Sequence, residues 1–297
     1  MSTTYFEEDY RPVVAKAAAG RFLPGSSIEI IRELGSRQPL RHVLFDFDGT
    51  LSLIREGWMN VMVPMMVETL AATGTRESAH TLGEMVREFV MELTGKQTIY
   101  QMMRLAEEVT KRGGTPQEPI VYKQIYHDRL MERIADRREA LRSGRASPEE
   151  MLVPSSRPLL DGLRRQGVEL YVASGTDEPY VMEEVRLLGL DEYFGPHVYG
   201  ARDDYRTFSK AMVIDRILKE NHVPGAQLLG FGDGYVEIQN IKAVGGVAVA
   251  VASDEAQRSG KPDAWKRERL IGAGADLVVP DYQDYQPLLA YLWNAGA

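Results

Sequence analysis

Two carboxylates, Asp46 and Asp48, stand two residues apart at the end of a short apolar run and are followed by Gly49. Residues two apart in a strand point to the same side, and open α/β sheets bind ligands at the carboxyl ends of their strands. Two anions this close repel unless a cation binds them, and Mg²⁺ prefers oxygen ligands and accompanies phosphates. A carboxylate beside Mg²⁺ can attack phosphorus and divide a hydrolysis into two displacements. The alternative is an acidic strand end before an ordinary turn, so the rest of the chain must decide.

Two later segments supply groups that bind phosphate. Residues 168–173 have the pattern of a buried strand and end in Ser174 and Gly175, which offer a hydroxyl and free N–H groups. Lys210 begins a helical pattern, where its ammonium could neutralise both a phosphate and a nucleophile. Each segment alone is typical of a turn or of a surface lysine, and only their combination favours a phosphoryl-transfer site.

A further pair of acids follows the apolar run 227–231. Gly232 and Asp233 follow this predicted strand, and Glu237 stands four residues after Asp233. An Asp-Gly pair is an ordinary turn signal, but here it adds two carboxylates for a metal at a third strand end.

These segments together resemble the haloacid dehalogenase superfamily of phosphohydrolases, from about residue 40 to residue 250. The resemblance implies that Asp46 is the nucleophile and Asp48 the general acid/base, and that Asp at the second position favours phosphate esters as substrates. It implies phosphate-binding roles for Gly49, Thr50, Ser174, Gly175 and Lys210. It implies that Mg²⁺ is bound by Asp46, by Asp48 through its backbone carbonyl, by Asp233 and by Glu237. The family often has Asp where this chain has Glu237, and the longer side chain suggests a water-mediated contact.

Strand and helix patterns alternate over most of the chain, which predicts a doubly wound parallel α/β sheet, the Rossmann-like core of that superfamily. The predicted strands are 41–47, 168–173, 227–231, 246–252 and 275–279, and the predicted helices between them are 157–166, 178–188, 209–220 and 236–244. A short helical pattern at Ile28–Leu34 is interpreted as an extension packed on the core, and an exposed arm is the alternative.

Residues 54–147 contain no convincing strand, and their apolar residues recur at helical spacing, as in Leu82, Val86, Phe89 and Val90. About four helices are predicted, which form an inserted all-helical domain of the kind called a C1 cap. The predicted domains are an N-terminal extension at 1–40, a catalytic core at 41–53 plus 148–297, and the cap at 54–147.

Two short segments of the predicted cap are candidates for substrate specificity. Arg55 and Trp58 follow the nucleophile loop, and Lys96 and Gln97 lie in a polar turn between two helices. A closing cap excludes water and positions the leaving group. A plain helix end explains the second segment equally well.

Composition excludes several classes of protein. The net charge of −8 provides no broad basic surface for nucleic acid or an anionic membrane. With no cysteine, neither disulfides nor thiolate metal sites can form. The N-terminal residues do not form a secretory signal, and no apolar run is long enough to span a membrane, so a cytoplasmic protein is expected.

The sequence therefore predicts a Mg²⁺-dependent phosphatase that hydrolyses a small phosphorylated metabolite through an aspartyl-phosphate. A phosphomutase of the same fold would use the same motif residues, and a non-catalytic protein that binds a phosphorylated ligand is the alternative from another class. Neither the substrate nor the oligomeric state follows from the sequence, because one fold serves many substrates.

Overall fold

The structure is a computed structural model that describes residues 20–35, 38–202 and 204–294. Contacts between residues divide the chain into two compact units. The first, here called the α/β unit, comprises the described residues up to Leu53 and those from Ser147 onward. The second, here called the helical unit, is Ile54–Ala146.

The α/β unit contains all the strands of the described residues and seven of their helices. The strands are β1 (Arg21–Phe22), β2 (Glu29–Ile30), β3 (His42–Phe45), β4 (Glu169–Asp177), β5 (Val198–Ala201), β6 (Leu228–Gly232), β7 (Val247–Val251) and β8 (Leu277–Val279). The helices of this unit are α5 (Ser156–Arg165), α6 (Glu178–Leu187), α7 (Asp191–Phe194), α8 (Lys210–Glu220), α9 (Tyr235–Ala243), α10 (Ala264–Ala273) and α11 (Tyr285–Asn294).

The strands form one sheet in the order β1-β2-β8-β7-β6-β3-β4-β5. Pairing is parallel from β8 to β5, whereas β1 and β2 add to the β8 edge in antiparallel fashion. From β3 the chain proceeds to β4 and β5 on one side and then returns to β6 on the other. The predicted doubly wound α/β fold is confirmed, and β3 lies at the point where the strand order reverses, which is where such sheets bind ligands.

Successive side chains of each strand point to opposite faces of the sheet, and other side chains pack on both faces. Leu44 and Tyr171 belong to an apolar cluster that includes residues of α8, α9 and α10. On the opposite face, the Phe45 ring stacks on Phe231 with 4.7 Å between centroids and meets the edge of Phe194 in α7. Because both faces of the central sheet are covered, strands β6 and β7 are buried along their whole length, which agrees with the nearly continuous apolar runs in their sequences.

The helical unit consists of α1 (Met59–Ala71), α2 (Ala79–Glu92), α3 (Thr98–Lys111) and α4 (Pro119–Arg142), in agreement with the four predicted helices. Helix α1 contacts the other three, and α3 packs along α4. Arg137 in α4 donates hydrogen bonds to the carbonyl oxygens of Ile54 and Glu56 and to the Glu56 carboxylate. This arginine therefore fixes the first residues of the unit to its longest helix.

The helix predicted at Ile28–Leu34 is wrong. The structure places β2 there, and residues after Ile30 are bends and coil. Edge strand β8 offers unpaired backbone groups to β2, and a bond between Glu29 and α10 holds the segment in place. These partners lie far away in sequence, so local periodicity could not reveal them. Most of the predicted extension at 1–40 lies outside the described residues.

Candidate active site

Asp46 and Asp48 leave the carboxyl end of β3, which lies between β4 and β6. The Asp46 N–H donates to the Phe231 carbonyl oxygen at 2.9 Å, so the nucleophile candidate is still held by the neighbouring strand. Both carboxylates therefore lie at the middle of the sheet edge.

Lys210 is the first residue of α8, where the Ser209 hydroxyl caps the helix by accepting from the Met212 N–H at 3.1 Å. Its buried ammonium lies 2.9 Å from Asp46 Oδ1 and also forms an ion pair with Glu237. Burial raises the pKa of Asp46 to about 7; the charge of Lys210 opposes this increase, and the negative charges of Asp233 and Asp48 add to it. The structure therefore brings three of the predicted site residues, Lys210, Asp233 and Asp48, close to Asp46 and pairs Glu237 with the lysine.

Two hydroxyl groups of β4 form hydrogen bonds with the second carboxylate, Asp48. The Thr176 hydroxyl donates to Asp48 Oδ2 at 2.8 Å, and the Ser174 hydroxyl lies 3.4 Å from the same oxygen. Ser174 also accepts from the Thr176 N–H at 3.0 Å. In this structure the predicted phosphate ligand Ser174 thus helps to orient the predicted acid/base, and Thr176 does so more directly.

Asp233 follows β6 and packs against the backbone of Gly49. Gly49 has a φ of +73°, and a Cβ built on it would lie 2.8 Å from Asp233 Cγ and closer still to Oδ2. Only glycine provides both the positive φ and the room for this approach. The carboxylate of Asp233 is therefore fitted closely to the turn that follows Asp48.

Three residues of this cluster were missed by sequence reasoning. The Lys266 ammonium donates to Asp233 Oδ2 at 2.8 Å, to Glu255 Oε1 at 2.6 Å and to Ser253 Oγ at 3.1 Å. Ser253 in turn donates to the Gly49 carbonyl oxygen at 2.6 Å. Burial raises the pKa of Glu255, although Lys266 opposes the increase. The pKa of Lys266 is raised in spite of its burial, because Asp233 and Glu255 stabilise its charged form.

The sequence contains local signals for the elements that carry these residues, although not for their role. Ser253 and Glu255 follow the predicted strand 246–252, in the same relation to it that Asp233 has to β6. Asp263 caps α10 by accepting from the Lys266 N–H at 2.8 Å, and Gly274 ends the helix with a φ of +109°. An Asp before a helical pattern that ends at Gly is a recognisable helix signature.

The donor set suits a hard divalent cation. Asp46 Oδ1 and Asp233 Oδ2 are engaged by lysines, and no hydrogen bond within the described residues engages the second oxygen of either carboxylate. Among those residues, no three His, Cys, Asp or Glu side chains converge into a metal cage. Mg²⁺ is commonly held by one or two carboxylates together with water and substrate phosphate, which is the arrangement that Asp46 and Asp233 can provide.

Other predicted phosphate ligands have different partners. The Gly49 N–H donates to the Ser52 carbonyl oxygen at 2.9 Å, and Thr50 is fully buried, with its carbonyl oxygen bonded to the Tyr282 hydroxyl. Gly175 lies in β4, where the register with β5 shifts. Phosphate binding by Gly49, Thr50 and Gly175 stays a prediction.

The predicted specificity residues all lie in the helical unit. Arg55 and Trp58 belong to the turn before α1, where the Trp58 N–H donates to the Arg55 carbonyl oxygen. Lys96 and Gln97 lie between α2 and α3, and the Lys96 ammonium is 5.7 Å from the centre of the Tyr100 ring. Their role stays a prediction. Within the part of the chain that the structure describes, no helix has the length and apolar character needed to cross a membrane.

Comparison with known proteins identifies the class. Residues 40–245 match the family model of the haloacid dehalogenase-like hydrolases, and this match covers more than half of the chain. The chain therefore belongs to that family of hydrolases. No curated protein matches it.

Solved structures share the fold at low sequence identity. A predicted phosphoglycolate phosphatase from Haemophilus somnus is 15% identical, with a TM-score of 0.55 over 84% of this chain and 97% of its own. A predicted phosphatase from Clostridium acetobutylicum is 17% identical, with a TM-score of 0.55 over 85% and 99%. A β-phosphoglucomutase from Clostridium difficile is 13% identical, with a TM-score of 0.56 over 86% and 97%. At these identities the likeness establishes the fold alone.

Proposed function

We propose that this hydrolase is a Mg²⁺-dependent phosphatase that cleaves a small phosphomonoester through an aspartyl-phosphate on Asp46. The proposal rests on the hydrogen bonding of the Asp46 carboxylate, which lies at the centre of the sheet edge. One oxygen is held by Lys210 at 2.9 Å, and the other is engaged by no hydrogen bond from the described residues. A fixed carboxylate with one available oxygen is the arrangement that an in-line nucleophile requires.

In the first step, Asp46 attacks phosphorus, the bond to the leaving oxygen breaks, and Asp48 supplies the proton that the departing alkoxide needs. The bonds from Thr176 and Ser174 hold Asp48 at a fixed position for this transfer. The Lys210 ammonium lies beside the nucleophile, where it stabilises negative charge on the equatorial phosphate oxygens.

In the second step, water attacks the aspartyl-phosphate, and Asp48, now ionised, accepts a proton from that water. The phosphorus–Asp46 bond breaks, inorganic phosphate leaves, and both carboxylates return to their starting state. One residue thus serves as acid in the first step and as base in the second.

Asp46, Asp233 and the backbone carbonyl of Asp48 would hold the cation. When bound, the cation offsets repulsion between the phosphate dianion and the carboxylates. The Asp46 pKa of about 7 reflects its burial among like charges, and a neighbouring cation favours the ionised nucleophile.

We further propose that the helical unit acts as a C1-type cap, with the catalytic core formed by 41–53 and 148–297. Its substrate-facing residues would be Arg55, Trp58, Lys96 and Gln97. A small phosphorylated metabolite is the substrate class that such a lid suits, because closure excludes bulk water from a site of limited size.

The test is phosphate release from a panel of phosphorylated metabolites with Mg²⁺, comparing the wild type with Asp46→Asn. Asn fills the same volume but cannot attack phosphorus, so turnover should fall at least about 1,000-fold, or roughly 4 kcal/mol in barrier. Asp215→Asn is the matched control, because Asp215 is exposed and, among the described residues, pairs only with Lys219. Turnover of Asp46→Asn within about tenfold of wild type, a loss of only about 1.4 kcal/mol, would contradict the assignment.

The same experiment followed by ³¹P NMR separates hydrolysis from phosphoryl transfer to a second hydroxyl. Inorganic phosphate should appear in proportion to the substrate consumed, without a bisphosphate activator. A positional isomer that accumulates in place of free phosphate would make the enzyme a mutase and leave the role of Asp46 intact.

A further inference from the structure

Lys266 has no counterpart among the residues that sequence reasoning assigned, yet it lies in direct contact with Asp233. Its side chain is 13% exposed, and its three acceptors come from three places: Asp233 after β6, and Ser253 and Glu255 after β7. An ammonium carries three N–H groups. All three are therefore satisfied by the protein, which leaves none for a substrate phosphate.

The same cluster also holds the turn after Asp48. Ser253 accepts from Lys266 and donates to the Gly49 carbonyl oxygen at 2.6 Å. Asp233 is confined between the Gly49 backbone and the ammonium. Two groups expected to bind the cation, the Asp233 carboxylate and the Asp48 carbonyl, are thus fixed relative to each other by one small set of bonds.

We infer that Lys266 is a positioning residue that fixes the Asp233 carboxylate by one oxygen and presents the other to the divalent cation. This inference rests on the proposed metal-dependent function. Mg²⁺ requires near-octahedral ligands at 2.0–2.1 Å, whereas Ca²⁺ accepts flexible coordination at 2.3–2.6 Å. A rigid carboxylate therefore favours Mg²⁺, and releasing it removes part of the preference.

Removal of the ammonium has two opposing effects on metal affinity. The local charge becomes more negative, which strengthens the binding of any cation, whereas the loss of a fixed ligand weakens the binding of a demanding one. Mg²⁺ and Ca²⁺ carry the same charge, so the electrostatic effect largely cancels in the ratio of their affinities. The Mg²⁺/Ca²⁺ affinity ratio consequently reports the positioning alone.

The experiment uses the full chain without substrate. Mn²⁺ is bound and followed by electron paramagnetic resonance, and Mg²⁺ or Ca²⁺ is titrated as a competitor. Lys266→Met should lower the Mg²⁺/Ca²⁺ affinity ratio about tenfold, since changes to residues that orient metal ligands typically alter affinity about 10- to 100-fold. Lys266→Arg, which keeps the charge and the donors, should give a ratio between the two.

Lys266→Met removes the ammonium that is bonded to Asp233 and Glu255, and the variant could therefore misfold. A second variant with a smaller change is tested for this reason. Ser253→Ala removes one acceptor of Lys266 and the bond to Gly49, and it should lower the ratio by about threefold. Circular dichroism checks the fold of each variant, and if Lys266→Met is unfolded, Ser253→Ala decides.

A wild-type chain that binds neither Mn²⁺ nor Mg²⁺ would overturn the metal dependence in the proposed function together with this inference. If the wild type prefers Mg²⁺ and the ratio is unchanged in every folded variant, this inference alone is overturned.

Discussion

Lys210 and Lys266 both project from the first turn of a helix into the carboxylates at the ends of β3 and β6, but their surroundings differ. The Lys210 ammonium has two acidic partners, Asp46 and Glu237, within the described residues. The Lys266 ammonium has three acceptors, so its donors are complete.

Because of this difference, Lys210 can bind the substrate phosphate, whereas Lys266 cannot. Lys210 retains one N–H for a phosphate oxygen and lies beside the nucleophile. Lys266 is saturated, and its strongest effect is on the orientation of Asp233. Lys210, which is buried, and Lys266, which is partly buried, thus have separate tasks in one cluster of acids. The number of acceptors around each ammonium reveals this difference, and the residue type does not.

The first prediction tests directly whether Lys210 and Lys266 have different roles. Lys210→Met should reduce turnover of the best phosphomonoester about 1,000-fold, equivalent to about 4 kcal/mol of barrier, because the charge beside the transferring phosphoryl group is lost. Lys266→Met should lose much less at saturating Mg²⁺, about tenfold, since it acts through Asp233. Steady-state kinetics of both variants measure the difference.

Lys219→Met is the control for that pair. Lys219 lies in the same helix as Lys210, but it is exposed, and within the part of the chain that the structure describes it bonds only to Asp215, one turn away. Turnover of Lys219→Met should therefore not change. Equal losses in Lys210→Met and Lys266→Met would show that the two lysines share one role.

Much of this arrangement could be predicted from sequence, because the signals were local. Apolar runs precede Asp46, Ser174 and Asp233, and a polar residue follows each run. This pattern predicts three strands and places a candidate site residue at the carboxyl end of each. The helices of residues 54–146 follow equally from 3.6-residue periodicity.

What sequence reasoning missed depends on contacts between distant segments. Strand β2 forms because Glu29 and Ile30 pair with β8, almost 250 residues away, and no local pattern favours it over a helix. Lys266 was missed because one charged residue in a charged segment has the pattern of a solvated helix face. Only the chain path that brings α10 back to β6 reveals its role.

The second prediction concerns the anchoring of α10 to strand β2. Arg267, next to Lys266, donates two hydrogen bonds to the buried carboxylate of Glu29, at 2.7 and 2.6 Å. Glu29→Gln should lower the free energy of unfolding by about 2 kcal/mol at pH 7, because charged hydrogen bonds of this kind contribute about 1.5–3 kcal/mol. Urea unfolding of the wild type and the variant gives the value.

The pH dependence of that difference has a defined sign. Hydrogen bonds from Arg267 lower the pKa of Glu29 in the folded state, although burial opposes the shift. The stabilisation is therefore present above the pKa of the unfolded chain, near 4.3, and is lost as pH falls through the lower folded value. Glu33→Gln, which affects an exposed pair with Arg21, should change stability far less than Glu29→Gln does, because solvent screens an exposed ion pair. A difference for Glu29→Gln that persists unchanged at pH 3 would contradict the ion-pair explanation.

The smallest expected effect concerns the caps of the two lysine-bearing helices. Ser209 caps α8 through the Met212 N–H, and Asp263 caps α10 through the Lys266 N–H. Ser209→Ala and Asp263→Ala should each cost about 1 kcal/mol of stability, the usual value for an N-cap side chain. The Asp263 variant should lose somewhat more at low ionic strength, because a negative charge at a helix N-terminus also interacts with the helix dipole, by about 0.3–1 kcal/mol. Salt screens that part, so urea unfolding at 20 mM and at about 1 M NaCl should bring the two losses together. Losses that stay apart by the same amount at high salt would mean that Asp263 stabilises α10 through its hydrogen bond alone.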